Sequence, residues 1–256
     1  MSCVICVANQ KGGVGKTTTC VNLAAALHNL NRAVLLVDAD PQGNASTGMG
    51  VDKNTSPDLY DVLLGGVPME QAIRSTPYGD VVPANMQLSG ATVELVQRAE
   101  RDNALRLALE PVRDRYDYIF IDCPPSLGVL TINALAAADR VLVPVQSEFY
   151  AMEGLSDLLT TMKMTTKRIN PSLEIDGIVM TMIDRRLSFA EQVSREVRKY
   201  FGDQVYRTVI PRNVRIAEAP SHGKPVLAYS RMSRGATAYD CLALEFIKRE
   251  HKRKKK

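Results

Sequence analysis

The stretch Gln10-Lys11-Gly12-Gly13-Val14-Gly15-Lys16-Thr17-Thr18 constrains this chain more than any other. An apolar run with β-branched residues, Cys3 to Ala8, leads into it, and a helical pattern, Thr19 to Leu30, leads out. Strand, glycine-rich loop and helix in that order leave few folds open. Glycines without a Cβ let successive N–H groups turn inward around an oxyanion at the N-terminus of the helix. The anion expected there is the phosphate tail of a nucleotide, cradled by Gly12, Gly13, Val14 and Gly15. Lys16 would reach the β- and γ-phosphates, the Thr17 hydroxyl would take one position on Mg²⁺, and Thr18 would hold the α-phosphate. The bland alternative is a turn with two solvated lysines. The strand-to-helix context argues against it.

The ordinary P-loop pattern asks for glycine where this chain has Gln10, and a second lysine, Lys11, heads Lys-Gly-Gly-x-Gly-Lys-Thr-Thr instead. In this the loop resembles the deviant Walker A motif of the ParA/MinD class of P-loop ATPases.

Two further segments end a buried strand in acid. The second strand, Ala33 to Val37, runs into Asp38-Ala39-Asp40-Pro41-Gln42-Gly43-Asn44. Carboxylates two apart at a strand's C-terminal end lie where open α/β sheets carry their ligands. Asp40 is the candidate for positioning the attacking water and Asp38 for an outer contact to Mg²⁺. Tyr116 to Asp122 has the form of a Walker B strand, with Asp122 holding Mg²⁺ through water. Cys123-Pro124-Pro125-Ser126 follows as a stiff turn that could sense the γ-phosphate.

The remaining pattern alternates strand and helix. Helix Thr131–Ala138, strand Arg140–Val145, a long helix from Ala151 to about Arg168, strand Glu174–Thr181, helix Phe189–Tyr200 and strand Val205–Val209 follow in order. Between 45 and 110 the signal is weaker, with short amphipathic pieces at Leu59–Leu64 and Met69–Ile73, a short strand at Asp80–Val82, and a helix Asp102–Glu110 ended by Pro111. This order predicts an α/β fold: a mostly parallel, doubly wound sheet with helices on both faces, in one domain over residues 1–256. No apolar run approaches the roughly 20 residues that span a bilayer, and the expected location is the cytoplasm. Five cysteines show no framework spacing. Cys3 and Cys6 are three apart in a strand, so they point to opposite faces and share no metal.

Charge is segregated along the chain. Counted from the sequence, residues 1–110 carry a net −3, 111–184 a net −4, 185–234 a net +7 and 235–256 a net +4. A basic block of this kind is the electrostatic footprint of phosphate binding, or else a solvated basic helix face.

From end to end the chain resembles the ParA/Soj-type partitioning ATPases. The likeness rests on Ala8–Thr18, on Val37–Asn44, on Ile121-Asp122-Cys123-Pro124-Pro125-Ser126, on Pro144-Val145-Gln146 and on Ile210 through Ser221. It implies a Mg²⁺-dependent ATPase that forms a homodimer with ATP, with Lys11 reaching the partner's nucleotide. By position it carries Lys11, Lys16 and Asp40 into catalysis, Thr17, Asp38 and Asp122 to the metal, and Met182, Pro211 and Asn213 to the adenine. It also implies non-specific DNA binding through Arg186 and Arg215, a nucleoid-associated location, and a ParB-like centromere-binding partner that stimulates hydrolysis.

The C-terminus departs from the simple pattern. Gly235 to Arg249 reads as a helix with Tyr239, Leu242 and Phe246 on one side, and residues 248–256 read as a basic, disordered tail. The tail suits nucleic acid; a membrane, as in MinD-like proteins, or solubility alone are the alternatives. A P-loop metabolic enzyme resembling dethiobiotin synthetase would use the same loop but would not need the basic last third.

Overall fold

The computed structural model describes residues 2–98, 100–148, 151–184 and 188–254. Seven strands form one sheet: β1 (Cys3–Val7), β2 (Val34–Asp38), β3 (Arg74–Thr76), β4 (Gly79–Val82), β5 (Tyr118–Asp122), β6 (Arg140–Gln146) and β7 (Glu174–Thr181). Their order across the sheet is β3-β4-β2-β5-β1-β6-β7. All neighbours run parallel except the β3–β4 pair, so the expected mostly parallel, doubly wound sheet is what the chain forms.

Residues of β1, β2 and β5 are buried on both faces, as parallel strands covered by helices must be. The period-2 alternation divides the core. Val4, Cys6, Leu35, Val37, Ile119 and Ile121 face one layer, packed under the segments 59–112 and 129–162. Ile5, Val7, Leu36 and Phe120 face the other, under the loop-following helix Lys16–Asn29 and the last helix, Arg234–Arg253. Cys3 packs with the second layer and Cys6 lies in the first, so the two thiols do face opposite ways. Cys6 instead meets Cys123, sulfur to sulfur at 3.2 Å.

Register brings the acids together. Asp38 is paired with Asp122 across β2 and β5, and Val7, the last residue of β1 before the loop, is paired with Asp122 on its other side. The glycine-rich loop and both acidic strand ends therefore share one sheet edge.

Two expectations are corrected. Val205–Val209 is not a strand: it touches β7 through single bridges only, Ile178 with Val205 and, beyond it, Ile183 with Pro211. Side chains occupy some of the backbone groups that a ladder would need, although the Tyr206 N–H still donates to the Ile178 carbonyl at 2.8 Å. Glu245 accepts from the N–H groups of Arg207 and Thr208, each at 2.8 Å, and Arg249 and Arg198 donate to the carbonyls of Val205 and Tyr206. The tail is also more ordered than its lysines suggest, because the last helix runs on to Arg253. Glu250 is buried and pairs with Arg140, and Arg253 donates to Asp176. The helix end is thus docked under the sheet by two cations and two carboxylates. Lys255 and Lys256 lie outside the described residues.

Candidate nucleotide site

The helix Lys16–Asn29 begins directly after Gly15, whose φ of 88° only glycine adopts without strain. No side chain caps this helix and its first turn carries no acid, so its free N–H groups and positive dipole end are left for an external anion. A Cβ on Gly12 or Gly13 would have no neighbour within 4 Å, so nothing crowds the loop at these two positions. From the other side Thr181, the last residue of β7, donates its hydroxyl to the Val14 carbonyl at 2.8 Å and pins the loop.

Lys16 is 6% exposed and its ammonium donates to the Lys11 carbonyl at 3.0 Å. Burial lowers its pKa, while Asp122, Cys123 and Asp40 act to raise it. It thus lies inside the loop among the acids. Lys11 has the opposite placement: its side chain turns outward and pairs with Glu148.

The acids are held differently from one another. Asp38 is fully buried and accepts from the Ser46 N–H and hydroxyl, both at 2.7 Å, and from the Asp40 N–H at 3.2 Å. Burial nevertheless pushes its pKa up to about 6. Asp40 is 7% exposed and accepts from the Gln42 N–H at 2.9 Å, which fixes the turn. Asp122 is completely buried and neither oxygen has a hydrogen-bond partner of good geometry. Burial, then the neighbouring Asp38, raises its pKa well above the carboxylate range; the Thr17 hydroxyl and Lys16 oppose this.

A buried carboxylate with two idle oxygens calls for a missing cation or donor. Among the described residues no three His, Cys, Asp or Glu side chains surround a common point. One buried carboxylate beside the Thr17 hydroxyl suits a hard cation whose remaining ligands are phosphate oxygens and water, which is the habit of Mg²⁺. The residues present fit such an ion, with Asp122 and Thr17 at hand and Asp38 behind them.

Beside the loop lies a pocket of about 470 Å³ with Gly15 and Thr18 at one end. Met182, Pro211 and Asn213, taken from the sequence for the adenine, all line it. So do Thr181, Ile216, Ala217, Pro220 and Tyr239, which sequence reasoning did not single out. Ile216, Ala217 and Pro220 fall inside a segment already noted for its likeness, so the signal was present. Tyr239 looked like a packing residue and is one: it is buried, with its hydroxyl 3.4 Å from that of Thr19. Met182 takes a φ of 52°, uncommon for a residue with a Cβ, at the turn between loop and pocket. Asn213 caps the short helix Val214–Glu218 by accepting from the Arg215 N–H.

The residues read as DNA contacts fare unequally. Arg215 is exposed and paired with Glu218 at 2.8 Å. Arg186 lies outside the described residues.

An anion cradle that ends in a buried lysine, with acids waiting on the two adjacent strands, answers the needs of a nucleoside triphosphate and its metal. The class so defined is that of the P-loop nucleotide hydrolases. A family model described as an AAA domain matches residues 2–175. The chain is 53% identical over 248 residues to the sporulation initiation inhibitor protein Soj of Bacillus subtilis, covering 96% of this chain and 98% of that one. It is 54% identical over 258 residues to the chromosome partitioning protein ParA of Caulobacter vibrioides, covering 99% and 97%. Among solved structures, a Mycobacterium smegmatis protein described as cobyrinic acid a,c-diamide synthase, with bound ADP and magnesium, superimposes with a TM-score of 0.83 at 39% identity, covering 95% of this chain and 93% of that one. The septum site-determining protein MinD of Pyrococcus horikoshii, complexed with Mg-ADP, does so at 0.78 and 26%, covering 96% of each. The chain belongs to the ParA/Soj family of partitioning ATPases.

Proposed function

We propose that this protein is an ATP-driven switch that dimerises around ATP, binds DNA without sequence preference, and hydrolyses ATP slowly until a ParB-like centromere-binding partner accelerates it, so that chromosomes or plasmids are segregated. The observation that carries this reading is the division of labour between the two loop lysines. Lys16 is enclosed with the acids, whereas Lys11 turns out of its own loop toward the surface. A cation placed outside its own cradle is suited to a nucleotide held by another copy, where it would neutralise charge as an arginine finger does.

Within one subunit, the loop N–H groups, Lys16 and Thr18 would hold the phosphates. Thr17 and, through water, Asp122 and Asp38 would hold Mg²⁺, which withdraws charge from the phosphate oxygens. Asp40, fixed by Gln42, would orient the attacking water. The base would enter the pocket of Met182, Pro211 and Asn213. The nucleotides named for the similar solved structures, ADP and an ATP analogue with magnesium, support this assignment.

DNA binding is supported by the basic last third. A groove of about 1210 Å³ between residues 207–214 and the last helix is edged by Arg207, Arg212 and Arg234, all exposed. It shares Pro211, Arg212, Asn213 and Val214 with the base pocket, so a nucleotide that orders that wall also orders the rim of the groove. Among the described residues no helix is long and apolar enough to cross a membrane. A cytoplasmic, nucleoid-bound protein follows from this reading.

The test is retention on non-specific duplex DNA with ATP, ADP or no nucleotide over a salt series, with Asp40→Ala to preserve ATP. Binding that requires ATP and falls steeply with salt is expected. Binding to anionic liposomes alone would refute the DNA reading in favour of a MinD-like one.

A further inference from the structure

Lys11 is held to the same sheet edge at both ends. Its N–H donates to Asn9 Oδ1 at 3.0 Å, and Asn9 Nδ2 donates to the carbonyl of Pro144 in β6 at 2.8 Å. Its ammonium pairs with the carboxylate of Glu148, two residues beyond the end of β6. The helix Ala151–Arg168 comes close as well. A Cβ on Gly154 would stand 3.4 Å from Asn9 Oδ1 and 3.8 Å from Lys11 Cβ, so the helix backbone passes beside Lys11 with no side chain between them.

We propose that Glu148 is the positioning residue for Lys11: it holds the ammonium within its own subunit while no partner's nucleotide is present, releases it when Lys11 crosses to a second copy, and thereby sets the ATP concentration at which two copies associate. This rests on the trans role of Lys11 proposed above.

The strength of the pair fits a bias rather than a lock. The side chains are 30% and 47% exposed, so water and salt screen their attraction. An exposed pair of this kind shifts an equilibrium by about 3-fold. A symmetric dimer gives up two of them, one per subunit, so the dimer dissociation constant changes by the square, about 10-fold. A buried pair would instead cost too much to release in a cycle that must repeat.

The measurement is the dimer fraction of the full chain by analytical ultracentrifugation, against concentration of a non-hydrolysable ATP analogue with Mg²⁺. Four proteins are compared: wild type, Glu148→Gln, Glu148→Asp and Lys11→Ala. Glu148→Gln is expected to dimerise about 10-fold more tightly with the analogue. It should remain monomeric with ADP and bind nucleotide as the monomer within about 2-fold of wild type. Glu148→Asp, which keeps the charge, should return toward wild type, and a purely structural role for Glu148 would show none of this nucleotide dependence. Unchanged or weaker dimerisation of Glu148→Gln, with nucleotide binding intact, overturns the proposal and leaves the trans role of Lys11 standing. Normal dimerisation of Lys11→Ala overturns both.

Discussion

Asp122→Asn should make the nucleotide-free protein more stable while removing its response to ATP and Mg²⁺. The reason is the isolation of this side chain: fully buried, with both oxygens unpartnered and Asp38 paired beside it across the sheet. Its folded-state pKa is raised by burial and by Asp38, so the folded chain holds the proton more tightly than the unfolded one. The cost is therefore absent below the unfolded value of 3.8 and grows as pH rises, until the folded group itself ionises. Leaving a carboxylate buried without a partner costs on the order of several kcal/mol. An asparagine amide in the same place is itself short of partners, which returns about 1–3 kcal/mol. A net gain of about 2 kcal/mol corresponds to roughly 4–8 °C in a chain of this size. The assay is thermal unfolding of wild type and variant without nucleotide at several pH values, repeated with ATP and Mg²⁺. The gain should be present at pH 7 and vanish near pH 4, and ligand should raise the Tm of wild type alone. A variant less stable than wild type at pH 7, or a difference independent of pH, would refute the argument that an unpaired buried acid is what the site holds in readiness.

Lys16→Ala should lose nucleotide binding by fluorescence titration, since it removes the only ammonium buried within the cradle among the described residues. Asp40→Ala should keep ATP affinity within a few-fold yet fail to turn over in a single-turnover assay; normal turnover would remove Asp40 from its role. Glu250→Gln should destabilise the chain by about 3–5 kcal/mol in urea unfolding, because it leaves Arg140 and Arg253 facing Asp176 alone in a buried cluster. Arg140 and Arg253 outweigh burial and hold Glu250's pKa below its ordinary 4.5, so wild type should lose this contribution as pH falls below that value.

The strands nearest the loop were legible because burial on both faces leaves a run of apolar residues with an acid at its end, and turns with Gly, Pro or Asn bound each run. The phosphate cradle was legible for a similar reason: backbone geometry there admits few sequences. What escaped depends on contacts distant in the chain. Val205–Val209 has the residue types of a strand, and nothing local reveals that Glu245, nearly forty residues on, takes its N–H groups. The lysine-rich end looked free because the partners that order it, Arg140 and Asp176, lie on β6 and β7. Tyr206 makes the same point from the other direction. Its hydroxyl donates to Asp176 at 2.6 Å and Arg249 stacks over its ring at 3.8 Å, in a space that exists because residue 177 is glycine; a Cβ there would come within 2.5 Å of the ring. That anchor holds one end of the segment whose other end, Pro211 to Val214, forms the wall between the pocket beside the glycine-rich loop and the arginine-edged groove. Contacts thus run from the helix end through the segment to the wall of that pocket. A change at Asp176 or Arg249 should be felt there as a shift in ATP-analogue affinity by fluorescence titration, although neither residue lines the pocket.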